Sequence, residues 1–180
     1  MKALFAVVSF LAGVASFGAI VEGGDFVRHP DGGAVRAKTS FAISSDPQDW
    51  NLVVDIDCEV RDLAKFRAAD GDGGDHVEVF LSPDGNVQHY YQFMVNAKGE
   101  KRFAAYFEEK GDIQPDPYMP EWSYERRETE KGWAVRITIP YYSFYMTRND
   151  RWSGEWLVNV ARGNGIDGEK STWNRLYGSF

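Results

Sequence analysis

Residues 76–96, HVEVFLSPDGNVQHYYQFMVN, decide the fold. From His76 to Leu81, Val77, Val79 and Leu81 alternate with His76, Glu78 and Phe80. From Gln88 to Asn96, His89, Tyr91, Phe93 and Val95 alternate with Tyr90, Gln92, Met94 and Asn96. Successive side chains of an extended chain point to opposite faces, so a period of two predicts two half-buried strands. Between them lies Ser82-Pro83-Asp84-Gly85-Asn86. Proline fixes its own φ and glycine accepts the positive φ that other residues resist, so this is a turn. The stretch reads as a β-hairpin.

The same period recurs on both sides. In Trp50–Cys58, Trp50, Leu52, Val54, Ile56 and Cys58 share one face. Further strands are expected at Arg102–Glu108, Ser123–Thr129, Trp133–Ile139, Trp156–Arg162 and Ser171–Trp173. Residues 110–121 hold Pro115, Pro117 and Pro120 and read as a long loop. Only Arg61–Arg67 and a turn at Tyr141–Tyr145 suggest helix. Short alternating strands separated by turn residues predict an all-β fold, a two-sheet antiparallel β-sandwich of jelly-roll type with little helix. Aromatic residues at 15% and 18 glycines agree with that class.

The chain has 180 residues, and 43% of them are hydrophobic, enough for one domain with a real core. Its net charge is −7, which argues against a nucleic-acid partner, because phosphates need a basic face. Met1 and Lys2 precede an uncharged run to Val21 that ends in small residues, the pattern of a secretory signal peptide. The expected organisation is a leader over 1–18, a linker or loose first strand over 19–35, and the sandwich over 36–180. Export to the cell envelope or medium follows, with no stable membrane insertion after cleavage. Cys58 is the only cysteine, so no internal disulfide is expected, and its apolar neighbours predict a buried thiol.

The outward face of the hairpin carries the chemistry. Glu78, Tyr90, Gln92 and Asn96 form a polar row, and Asn159 and Arg162 are read as extending it. Amide, carboxylate and guanidinium groups supply paired donors and acceptors. Sugar hydroxyls need such partners, and a sugar's C–H face suits an aromatic ring. Set against this, a solvated sheet face carries similar residues.

Six pieces, in order, resemble the family 9 carbohydrate-binding modules and the wider DOMON-like sandwich group. They are Trp50–Val54, Asp75–Pro83, Tyr91–Asn96, Gly132–Pro140, Trp156–Arg162 and Ser171–Trp173, and the resemblance covers roughly residues 34–180. The resemblance implies a sandwich that binds saccharide without turning it over, within a polysaccharide-degrading system. It implies hydroxyl contacts from Glu78, Gln92 and Asn96 and ring stacking by Trp173. Trp122 in the Pro-rich segment is a candidate second wall. Two departures stand out: Asp72-Gly73-Gly74 occupies the place of a family Trp, and Met94 that of a family Arg. The closing segment that follows the late Trp in the family is also missing before Phe180. The resemblance therefore also suggests a fragment of a longer protein, with a catalytic domain as a covalent partner, or loss of the last strand.

Other chemistries are weighed on their residues. Asp70, Asp72 and Asp75 alternate with glycine like a calcium loop, giving a candidate structural calcium but no essential cofactor. Met94 with His76 is a candidate haem pair, as in some DOMON-like domains, whereas His89 differs from Met94 by an odd number and faces the other way. Asp57 and Glu78 imitate a glycosidase pair, but such pairs need a deep cleft. The main rival is a structural or interaction domain that kept the fold and lost the sugar site.

Overall fold

The computed structural model describes residues 2–3, 6–9, 19–46, 48–71, 73–109, 112–144, 155–174 and 176–177. In chain order the first strands are β1 (Lys2–Ala3), β2 (Ala6–Ser9), β3 (Ala19–Gly23), β4 (Val27–His29), β5 (Thr39–Asp46) and β6 (Asn51–Glu59). Helix α1 (Leu63–Ala68) precedes β7 (His76–Ser82), β8 (Tyr90–Asn96), β9 (Lys101–Glu109) and β10 (Asp112–Asp116). Then come β11 (Ser123–Glu128), β12 (Gly132–Pro140), a 3-10 turn (Tyr141–Phe144), β13 (Glu155–Asn164), β14 (Glu169–Thr172) and β15 (Leu176–Tyr177).

Two antiparallel sheets form a sandwich. The larger runs β10-β9-β8-β7-β13-β14-β4, with β2 also paired to β13, and the smaller runs β11-β12-β6-β5-β3. β1 and β15 make a separate two-stranded ribbon. The hairpin expected over 76–96 is present, with Val79 opposite Phe93 and Glu78 opposite Met94. Its inward residues Val77, Val79, Leu81, Phe93 and Val95 are fully buried, as are Ile43, Leu52, Val54, Trp133, Ile137 and Ile139 from the facing sheet. Each such side chain contributes roughly 1.5–3 kcal/mol by leaving water. The Cys58 thiol lies in this layer, and burial pushes its pKa up to about 12, so it is an inert packing group.

One polar clamp crosses the core. Arg162 turns inward from β13, not outward, because positions 159 and 162 differ by an odd number. Its Nε and Nη2 donate to Asp75 Oδ1 and Oδ2 at 2.9 and 2.8 Å. Its Nη1 donates to the Glu59 carbonyl at 2.9 Å and reaches Lys38 O and Thr39 Oγ1 at 3.3 Å. One guanidinium thus ties the entrance of β7 to both β5 and β6.

Three parts differ from the expectation. β5 is an interior strand of the smaller sheet that the alternation pattern does not announce. Residues 112–116, expected as loop, form edge strand β10, with Pro115 in register with Tyr106. A proline lacks an amide proton but is tolerated on an edge. Within 19–35, β3 and β4 each close an edge of a sheet. The leader expected over 1–18 falls largely outside the described residues, although the backbone of β2 pairs with Glu155–Val158. Among the described residues no helix is long and apolar enough to cross a membrane.

Candidate functional site

The outward face of the larger sheet is a lattice set by strand register. One row holds Asn96, His76 and Gly163, and the next Arg102, Met94, Glu78 and Ala161. The third holds Ala104, Gln92, Phe80 and Asn159. Tyr106 pairs with Tyr90 beyond it, and Leu157 with Ser82. Small residues on β13 flank the polar ones on β7. A Cβ added at Gly163 would lie 2.4 Å from His76 Cε1, so only glycine leaves the ring its place.

Polar contacts concentrate on Glu78, whose side chain is 4% exposed. Gln92 Nε2 donates to Glu78 Oε2 in a short hydrogen bond. His76 Nε2 lies 3.0 Å from Glu78 Oε1. Beside this trio sits an apolar cluster of Phe80, Tyr90, Leu157 and Ala161, with Tyr106 packed against it. The Tyr90 and Tyr106 rings stack with centroids 5.0 Å apart. Burial, then the neighbouring Tyr106 and Glu78, push the Tyr90 hydroxyl up to about 12, so it stays a neutral donor. The reachable strip is formed by half-buried His76, Gln92, Met94, Ala104 and Tyr106 and by exposed Arg102. Arg102 makes no ion pair with any described residue, and it lies directly across from Met94.

Of the residues expected to bind ligand, Glu78 and Gln92 come together here. Asn96 shares the face but is spent on the turn after β8. Its Oδ1 accepts from Lys98 N and Glu100 N at 3.1 and 2.8 Å, and its Nδ2 donates to Glu100 Oε2 at 2.8 Å. Trp173 follows outward-facing Thr172 and so points the other way. It packs edge-on against Phe41 at 4.8 Å and borders a separate groove with Glu22, Asp25, Asp55 and Asp57. Trp122 is a core residue, edge-on to Phe93 at 5.3 Å, with Lys101 Nζ 4.6 Å from its ring centre. The expected stacking pair is thus absent from this face. Two stacked rings, Tyr90 and Tyr106, stand there instead; period-two parity with Gln92 signals Tyr90, while Tyr106 is placed by the register of β9 on β8.

The remaining candidate residues have other commitments. Asp75 does not offer itself to calcium, because both its oxygens hold Arg162. Asp70 is exposed in a left-handed conformation at φ 54, and Asp72 lies outside the described residues. Among the described residues no three His, Cys, Asp or Glu cluster for a metal. Both His76 nitrogens already face oxygen atoms, Gly74 O at 2.9 Å and Glu78, which leaves none for a haem iron. His89 belongs to the turn, its Nδ1 3.1 Å from Asp84 Oδ2. Asp57 and Glu78 lie on outward faces of opposite sheets, so they make no hydrolytic pair.

No family model matches the chain, and no curated protein matches it. Among solved structures, the chain is similar to a proposed carbohydrate-binding protein from Bacteroides uniformis, with a TM-score of 0.59. The identity is 14%, over 89% of this chain and 81% of the other. At that identity the likeness concerns the β-sandwich fold.

Proposed function

We propose that this chain is a non-catalytic saccharide-binding β-sandwich that uses the outward face of β7, β8 and β9. The observation that carries the proposal is the His76–Glu78–Gln92 hydrogen-bonded trio beside the stacked Tyr90 and Tyr106 rings. A sugar ring resting on Tyr106 places its hydroxyls near Gln92 and near Arg102. Arg102 then supplies, one strand over, the guanidinium that the family-9-like pattern lacks at Met94. Glu78 is too buried to meet much ligand and acts by holding its two neighbours. The fold of the Bacteroides uniformis protein supports the same class of ligand. The leader-like run at 1–18 supports export, and a setting in polysaccharide breakdown goes with it.

A glycan array followed by calorimetry with the retained oligosaccharides tests this reading. Retention that is lost in Tyr106→Ala and weakened in Arg102→Ala is expected. A silent array, or retention indifferent to Tyr106→Ala, rejects it. One observation favours the rival: both tryptophans expected to stack sugar are turned into the fold. If the site has been lost and an interaction domain remains, the array stays silent.

A further inference from the structure

His76 stands at the start of β7 with both ring nitrogens against oxygen atoms that accept hydrogen bonds. Nδ1 is 2.9 Å from the Gly74 carbonyl oxygen, and Nε2 is 3.0 Å from Glu78 Oε1. A neutral imidazole carries one N–H and one lone pair, so it satisfies only one of these partners. The imidazolium satisfies both. In agreement, the hydrogen bond to Glu78 raises the His76 pKa above its ordinary 6.5, against the opposing cost of desolvation. Glu78 Oε2 accepts from Gln92 Nε2. A carboxylate only accepts, so it fixes which end of the Gln92 amide faces inward. Gln92 Oε1 then points away from Glu78.

We propose that His76 is the positioning residue of this face: as an imidazolium it pins the Glu78 carboxylate, which locks the Gln92 amide in the orientation that offers its oxygen to a sugar hydroxyl, so binding is favoured on the acid side. The role in sugar binding rests on the function proposed above; the coupling of the three side chains does not. The surroundings add little competing charge. Asp75 on the same segment favours the cation, as Glu78 does. From β8 the residue opposite is Asn96, and from β13 it is Gly163, both uncharged. The buried Tyr90 hydroxyl stays neutral. Exposed Lys170 on β14, opposite Gly163, is the cation of that row. When His76 loses its proton, one of its two contacts sets a lone pair against an oxygen. If the proton lost is the one on Nε2, Glu78 is released on that side, and the carboxylate, then held by Gln92 alone, is free to turn and carry the Gln92 amide with it.

Nitrogen-15 NMR of the whole protein tests the coupling without any ligand. Below the His76 midpoint both ring nitrogens should be protonated, and the Gln92 side-chain amide signals should move with the same midpoint. In Glu78→Gln that midpoint should fall and the Gln92 signals should stop following it. Gln92 signals that ignore His76, or a midpoint unmoved by Glu78→Gln, overturn the proposal. Frontal chromatography of mixed cello- and xylo-oligosaccharides over immobilised protein supplies the pH profile. Several-fold stronger retention well below pH 6.5 than well above it is expected, becoming flat in His76→Gln. Equal retention at both pH values also overturns the proposal. No retention at either pH, with Gln92 still following His76 by NMR, overturns the saccharide reading and leaves the coupling standing.

Discussion

The two outward faces of the sandwich look alike in sequence and differ in physics. On the smaller sheet, charges pair across strands in water. Arg136 donates twice to Asp55 at 2.8 and 3.0 Å, and Lys131 reaches Glu59 at 3.3 Å. Those side chains are between 41% and 77% exposed. On the larger sheet, Glu78 is almost buried and its partners are an amide and an imidazole, with stacked rings alongside. Both faces alternate with a period of two. Exposed pairs contribute little, because water screens them and ordering two side chains costs entropy. Desolvated groups must be paired correctly, and that requirement fixes their geometry. Fixed geometry is what a ligand can use.

Substitutions that remove desolvated partners should hurt far more than those on the solvated face. Arg162→Met strips the clamp beneath both faces and leaves Asp75 charged and buried. Chemical denaturation should show a loss of about 3–5 kcal/mol, the usual cost of removing one partner of a buried ion pair. Glu78→Ala leaves His76 and Gln92 without their acceptor. Stability should fall by about 1–3 kcal/mol, and glycan retention should fall with it. Tyr106→Ala should abolish retention and, by unstacking Tyr90, also lower stability by about 0.5–1.5 kcal/mol, read by calorimetry and denaturation. Trp173→Ala should lower melting temperature through the lost Phe41 contact while sparing retention. Asp55→Ala on the solvated face should cost only about 0.2–1 kcal/mol and leave binding alone.

Acidity separates the two faces as well. The folded-state pKa of His76 is raised, so the folded protein holds this proton more tightly than the unfolded chain. Its stabilisation is full below pH 6.5 and is lost as pH rises through the folded midpoint. Melting temperature followed across that range should decline in the native protein more than in His76→Gln.

Much of the fold is legible in the sequence because period two and turn chemistry are local. Ser82–Asn86 announces its hairpin, and the alternation around Phe93 assigns the faces of β7 and β8. β5 escapes because only Phe41 and Ile43 are large and apolar, while Thr39 and Ser45 take the other inward places and Ser40, Ala42, Ser44 and Asp46 the outward ones. β10 escapes because Pro115 reads as a breaker unless one knows that the strand lies on an edge. Within the site, parity brings Glu78, Gln92 and Tyr90 together from sequence alone. Side-chain commitments do not show there. Nothing local says that Asn96 closes a turn, that Asp75 meets a guanidinium 87 positions away, or that Trp122 packs on Phe93.

Pro115 has one more consequence. A flat, unpaired strand at a sheet margin invites another chain to add on, and repeated addition makes fibres. Here the outermost strand of the larger sheet is interrupted by a residue with no amide hydrogen to give. The opposite margin is β4, three residues long, and the smaller sheet ends in β11, with Glu125, Arg126, Arg127 and Glu128 in succession. An incoming strand finds poor templates at these three borders, and the fourth, β3, breaks its own register between Ala19 and Val21, so concentrated solutions should stay clear and dispersed where an unguarded sandwich would polymerise.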